Sequence, residues 1–283
     1  MAYLLVLPAA VAYAVFVLKP LATTVQYSFY DWNGIAPSTW VGLANYGALF
    51  RNPVLWGSLM HSFELILFFC LIPVSLGLFT ANTIRGFATS RLGLAARTVL
   101  FIPQIIPLVA AGIMWSWLLT SKGLVNQLLS AIGLGGITRA WLGDFDWALP
   151  TMGMIGAWVE LGLCILLLLA GMTKIDVSLY EAARIDGANV WREFWAITLP
   201  ALRAEIGVCV TVTMVAALSA FDIVYISTRG GPGNATMVPG MQIYYLAFFS
   251  RQIGLASALA VALIIIVLAI VLPVQRVTRE AKN

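Results

Sequence analysis

The sequence predicts an all-α polytopic membrane protein with six transmembrane helices, N-in and C-in. Three observations carry that class. Of 283 residues, 61% are apolar or aromatic and only 10% are charged, against roughly 25% charged in a soluble domain; mean hydropathy is +0.94. Six stretches reach the about 20 mostly apolar residues that a spanning helix needs. Lysine and arginine are spread unevenly among the connections. A soluble globule cannot hide so much apolar surface. Composition therefore excludes a soluble enzyme, a disordered chain and a nucleic-acid binder, and the net charge of +4 reads as membrane orientation.

The spans fall at about 2–25, 56–84, 97–119, 148–172, 205–228 and 254–275. The first lacks the basic n-region of a signal peptide, and five more spans follow, so a retained helix is expected. The sequence opens inside this apolar stretch, which leaves room for a cytoplasmic leader before Met1. With the N-terminus inside, ten basic residues lie on the inner side: Arg85, Arg91, Arg97, Lys174, Arg184, Arg192, Arg203, Arg276, Arg279 and Lys282. Six lie outside or at the outer edge: Lys19, Arg51, Lys122, Arg139, Arg229 and Arg251. The bias toward the inner side sets the orientation. Tyr27–Trp32, Trp40, Trp141 and Trp147 fall at the outer boundary, where amphipathic rings settle. Runs such as Cys164–Ala170 are apolar on every face, which excludes the alternating strands of a barrel.

The outer loops after the first and third spans carry Gly, Pro, Asn and Asp and are expected to be partly structured. No linker or internal repeat is visible, so residues 1–283 are expected to form one transmembrane domain, its core about 56–275. Cys70, Cys164 and Cys209 are dispersed without a CxxC pair, so they read as small buried apolar residues and not as a disulfide or zinc framework.

The charge-dense inner connection, about 173–204, stands apart. Ser178 and Glu181 fit a capping box that opens a short helix. Gly187 after Asp186 suits its left-handed stop. A second amphipathic helix follows with Trp191, Phe194 and Trp195 at spacings of three and four, and Pro200 is expected to break it. From the residues alone this helix–turn–helix serves equally as a docking surface for a partner or as an interfacial helix on lipid headgroups.

Glu181-Ala182-Ala183, three residues, Gly187, nine residues, Ile197, one residue, Leu199-Pro200 resembles the EAA loop of binding-protein-dependent ABC importer permeases. Asp186-Gly187-Ala188 adds to the match. Tyr27–Trp32 followed by Val41–Tyr46, Phe221–Tyr225 running into Thr228–Gly233, and Gly254–Ala260 are similar to the carbohydrate-uptake branch, the maltose and glycerol-phosphate type. The family often has proline where this chain has Ala204, which leaves the start of the fifth span open.

The resemblance implies a type I ABC importer permease domain in a bacterial or archaeal inner or plasma membrane, not an enzyme. It implies that Glu181, Ala182, Ala183, Asp186, Gly187 and Trp191 couple to a pair of ATPase subunits. ATP and Mg then belong to that partner: the chain has no Gly-x4-Gly-Lys-Ser/Thr loop and is expected to bind no cofactor. The other expected partners are a second homologous permease subunit, an extracytoplasmic solute-binding protein and the lipid bilayer.

Charges inside spans are costly and usually face a cavity. At about 1.5 Å per residue, Glu64 lies about 12 Å from the outer end of the second span, Glu160 about 18 Å into the fourth and Asp222 about 9 Å from the outer end of the fifth. On the fifth span Thr211, Val215, Ser219, Asp222 and Tyr225 are expected on one stripe, and hydroxyls, a carboxylate and a ring suit a sugar. Glu64, Glu160, Ser219, Asp222 and Tyr225 are therefore candidate path residues. Structural alternatives stand beside them: Glu64 paired with His61, Asp222 holding the following loop, the stripe acting as helix–helix glue. Two other functions compete. An ion-coupled secondary transporter predicts inverted repeats, and an intramembrane enzyme lacks both His-Glu-x-x-His and Gly-x-Ser-x-Gly.

Overall fold

A computed structural model of the chain describes residues 2–87 and 90–280; Lys282 of the orientation argument lies outside them. The chain divides into two compact units, Met1–Met60 with Met237–Ile266, and His61–Thr236 with Val267–Asn283.

Among the described residues four helices are long and apolar enough to cross a membrane: Val6–Tyr27, Pro53–Arg85, Ala148–Met172 and Ile253–Arg276. Two further candidates are bent pairs, so the number reaches six if each pair is one span. Arg91–Ile105 and Leu108–Leu118 meet at 96°. Pro107 is the cause: it pushes Ile106 into the extended region (φ −74°, ψ 123°) and then serves as N-cap of the next helix. Val190–Ala201 and Arg203–Leu218 meet at 71°, with Leu202 between them out of helical geometry (φ −92°, ψ 8°).

The break expected at Pro200 comes two residues later, at Leu202. Pro200 itself sits in the first turn of Leu199–Ala201, directly after a π-turn at Phe194–Thr198. The same arrangement precedes Pro20 (π-turn Ala14–Leu18) and Pro73 (π-turn Leu67–Leu71). A proline ring clashes with the carbonyl four residues back and offers it no N–H. The wider turn passes hydrogen bonding to the i−5 carbonyl: Lys19 N–H donates to Ala14 O, Ile72 to Leu67 O and Leu199 to Phe194 O. The helices holding Pro20 and Pro73 absorb their prolines and continue, whereas the one holding Pro200 ends at Ala201.

In the first unit, Tyr30–Asp31 and Thr39–Trp40 form a two-stranded antiparallel hairpin pairing Tyr30 with Trp40, a strand element that the all-α reading did not include. The helix Ala44–Arg51 follows. Asn45 donates its amide to the carbonyls of Ser28 and Tyr30 at 3.0 and 2.9 Å, and Ser28 and Tyr46 share a hydroxyl bond of 2.7 Å. Gly254 rests against the Tyr30 carbonyl with no space for a Cβ. Leu49, Leu55, Leu59, Leu246, Ala256 and Leu259 make this unit's core.

In the second unit, Ala148–Met172 is the central helix. Lipid tails are as apolar as leucine, so helices associate in a membrane through close packing at small residues. A Cβ on Gly153 would meet the Phe68 ring, one on Gly156 would overlie the Phe69 ring, and one on Gly162 would lie 2.6 Å from the Leu100 carbonyl oxygen. Cys70, Cys164 and Cys209 are buried, unlinked and share one core with Leu168, Phe194 and Leu202, as small apolar residues should. Gly156→Val is expected to cost about 1–3 kcal/mol or more by overpacking, because Phe69 is fully buried. Thermal unfolding of the purified protein in detergent checks this.

The loop between Leu118 and Ala148 is built rather than slack. Buried Asn126 donates to the carbonyls of Thr120, Ser121 and Arg139 and accepts from the Trp141 indole at 2.8 Å. The Arg139 guanidinium lies 4.8 Å from the Trp147 ring centroid and 3.7 Å from Asp144.

Candidate functional site

The connection after Ala148–Met172 folds as two short helices, Val177–Ile185 and Val190–Ala201. Asp176, not Ser178, is the first cap: its carboxylate accepts the Ser178 N–H at 3.0 Å. Ser178 therefore lies inside the first turn, and the Ser178–Glu181 box does not form. That bond holds the Asp176 carboxyl below its ordinary pKa. The stabilisation is complete above the usual aspartate value of about 3.9 and disappears as pH falls through the lowered one. Protection of the Ser178 amide against hydrogen exchange is accordingly expected to persist at mildly acidic pH and to be lost in Asp176→Ala.

The first helix ends as expected at Gly187, with φ +78°. Ala188 N–H reaches back to Ala183 O at 2.8 Å and Gly187 N–H to Arg184 O at 3.0 Å, the paired bonds of a Schellman turn. Asn189 caps the second helix through its side-chain oxygen and the Arg192 N–H at 2.9 Å. Asparagine ahead of an apolar periodic run is a readable cap signal, and the sequence reading passed over it.

The hairpin has two faces. Tyr180, Glu193, Phe194 and Thr198 are buried. Val177, Leu179, Ile185, Val190, Trp191 and Trp195 are exposed, Ile185 by 86% and Trp191 by 61%. Glu181, Ala182, Asp186 and Gly187 share that exposure, with Ala183 half-buried. Phe194 departs from the expected docking stripe. Phe79 on the Pro53–Arg85 helix offers it an aromatic face within the chain, and the two rings stack at 5.5 Å and 13°. Among the described residues no ion pair holds Glu181. Arg184 clasps Glu193 instead, Nε to Oε1 at 2.7 Å, and that bond, more than the attendant charge, raises the guanidinium pKa.

The candidate path residues are spread over several elements, with Asp222 and Tyr225 alone sharing one. Glu160 is buried in Ala148–Met172, and its Oε2 has no hydrogen-bond partner among the described residues. Gln104 Oε1 on the Arg91–Ile105 helix and Trp115 Nε1 on Leu108–Leu118 are buried in the same condition. Neither was singled out from sequence, because a glutamine or tryptophan in a span carries no charge signal. Glu64 is exposed on Pro53–Arg85.

The expected stripe from Thr211 to Tyr225 is interrupted. Ser219 ends the helix Arg203–Leu218, and Asp222 opens a separate short helix, Asp222–Ser227. The Ser219 hydroxyl donates to the Val215 carbonyl at 2.6 Å, a back-bond that bends helices. Tyr225 stacks on Phe221 at 5.4 Å. The loop that follows is closed by its own threonines, Thr228 to Thr236 at 2.7 Å and Thr236 to Gly231 O at 2.7 Å. A cavity of about 280 Å³ is lined by Arg97, Leu166, Leu169, Ala170 and Thr173, none of them a predicted path residue. No cluster of metal-ligating side chains occurs among the described residues.

Apolar helices long enough to span a membrane and packed through glycines, with an exposed two-helix hairpin between Ala148–Met172 and Arg203–Leu218, define the class: a membrane transport subunit. The chain belongs to the family of binding-protein-dependent transport system inner membrane components, which matches residues 73–279. It is 34% identical over 283 residues to a probable ABC transporter permease protein of Bacillus subtilis, YurN, covering 99% of this chain and 97% of that one. It is 32% identical to the sulfoquinovosyl glycerol transport system permease protein SmoG of Agrobacterium fabrum, over 93% of this chain and 85% of that one. The fold matches a crystal structure of a bacterial ABC transporter involved in the import of the acidic polysaccharide alginate. The TM-score is 0.82 with 26% identity, over 100% of this chain and 96% of that chain.

Proposed function

We propose that this permease subunit carries a sugar or sugar-like solute into a bacterial or archaeal cell, with six spans, both termini inside and residues 1–283 acting as one permease domain. The observation that carries the reading is the hairpin. Its turn residue Gly187 is left-handed, and its outer face sets Glu181, Ala182, Asp186 and Trp191 in the open. That face docks a separate ATPase pair, which binds ATP and Mg. A second permease subunit completes the pathway. A solute-binding protein delivers cargo; the family's description as binding-protein-dependent supports this. ATP hydrolysis shifts the population between outward- and inward-facing states.

The sugar assignment draws on the cargo named for relatives, sulfoquinovosyl glycerol and alginate, and on residue chemistry. The unsatisfied carboxyl of Glu160 is an acceptor for solute hydroxyls. Glu64, Ser219, Asp222 and Tyr225 supply further polar contacts along the path. The test is ATP hydrolysis by the purified complex across disaccharides, oligosaccharides, amino sugars and glycerol-phosphate compounds, each with its binding protein. Stimulation by one sugar class is expected. Flux driven by an ion gradient with no hydrolysis would reject the reading in favour of a secondary transporter.

A further inference from the structure

The hairpin is joined to its flanking spans by bends. Thr173–Asp176 links it to Ala148–Met172, and Leu202 links it to Arg203–Leu218 at 71°. Lys174 also meets Glu205 at 3.0 Å, and Phe194 and Leu202 share a core with Leu168, Met172 and Cys209; a further attachment reaches a helix distant in sequence. Glu193, 4% exposed, takes Arg184 Nε at 2.7 Å and Nη2 at 3.4 Å, and lies 3.9 Å from Arg85 Nη2. Arg85 is the last residue of the Pro53–Arg85 helix. Its guanidinium carbon sits 3.8 Å from the centroid of the Tyr180 ring. Tyr180 in turn shares a hydroxyl bond of 3.0 Å with Thr198. Phe79 and Phe194 stack alongside. Both hairpin helices therefore converge on the end of the second span: Tyr180 and Arg184 from the first, Glu193, Phe194 and Thr198 from the second.

Glu193 is buried, while Arg85 is half-buried and Arg184 exposed; an ion pair on a buried carboxylate is weak evidence for stability, because desolvation offsets its attraction, and its best-attested use is to fix one geometry. Apolar faces slide past one another. A carboxylate hydrogen-bonded to Arg184 and in charge contact with Arg85, whose guanidinium lies on the Tyr180 ring, holds one register.

We infer that Arg85, Glu193 and Tyr180 form a rigid joint through which the hairpin drives the second span, making them positioning residues for coupling. The stroke then reaches the helix that carries Glu64 through this joint, while the fourth and fifth spans follow through bends. The inference rests on the docking reading above.

The test uses the complete transporter in proteoliposomes with its binding protein, reading attached ATPase, ATP hydrolysis and solute moved per ATP. Glu193→Gln keeps the shape and removes the charge. The ATPase is expected to stay bound and hydrolysis to continue. Solute per ATP should fall about tenfold, within the 5–150-fold span usual for coupling between sites. Arg85→Gln should do the same, and the double variant no worse than either, since both break one joint. Arg85→Lys keeps the charge and should recover part of the ratio. If Arg85→Gln does not assemble, Tyr180→Leu takes its place with both charges intact. Unchanged solute per ATP with the ATPase attached overturns this inference alone. A wild-type complex without an ATPase overturns the docking reading and this one with it.

Discussion

Gly187→Trp is expected to abolish solute uptake while leaving the subunit folded in the membrane. Two constraints act on this position, and the structure separates them. The first is backbone conformation. At φ +78° a residue with a Cβ costs about 1–2 kcal/mol, paid in an exposed turn that the Ala188 to Ala183 bond still closes. The second is space, and within the chain there is ample space: a Cβ built on Gly187 meets nothing within 4 Å. Gly187 is also exposed, so a side chain there can turn toward solvent, and a large penalty of bulk beyond the backbone cost points to another molecule. Gly187→Ala and Gly187→Trp share the backbone cost and differ in bulk. If the hairpin docks in a cleft of the ATPase, tryptophan should cost the 2–4 kcal/mol of a lost interface hot spot, about 30-fold or more in affinity, and alanine only part of that. Copurification of the ATPase with each variant, alongside uptake, reads the difference. Equal behaviour of the two variants, or full uptake by Gly187→Trp, removes the hairpin from the docking interface.

Much of this was legible in the chain. Six apolar stretches, the Gly187 turn and the burial of three dispersed cysteines follow from hydropathy and local rules, because each depends on residues a few positions apart. What was not legible depends on neighbours distant in sequence or on competition between local rules. Asp176 outcompetes Ser178 as cap because it lies two residues nearer the true helix start. Pro200 marks the break two residues early, because the π-turn ahead of it, closed by Leu199 N–H to Phe194 O, carries the helix on to Ala201. Phe194 reads as an exposed aromatic until Phe79 arrives from another span to cover it. The Thr211–Tyr225 stripe assumes an unbroken helix, and the Ser219 back-bond is too short-range a feature for periodicity to register. In the same way Glu193 gave no signal as a joint, since neither Arg85 nor Tyr180 is near it in sequence. Of the candidate path, the one property sequence could supply was charge inside a span. Which of those charges is buried and which has a partner required the fold.

Glu160→Leu is the variant on which that distinction turns. A buried carboxyl held by structural hydrogen bonds loses stability when replaced, because its partners are left unsatisfied. Glu160 is 7% exposed with one oxygen unsatisfied among the described residues, so its burial is a standing cost to the subunit. Leucine of similar bulk removes that cost, and exchange of an uncompensated buried polar group for an apolar one is neutral or stabilising. The melting temperature of the purified complex is therefore expected to hold or rise. Uptake should move the other way. A hydrogen bond is worth about 0.5–1.5 kcal/mol, so losing one weakens solute capture by about 2- to 12-fold, with the ATPase still attached. Glu160→Gln, which keeps an acceptor without the charge, should fall between the two. This opposition, stability kept and transport lost, is the signature of a group maintained for its cargo. A lower melting temperature with unchanged uptake would instead make Glu160 a packing residue and shift the path to Glu64, Ser219, Asp222 and Tyr225.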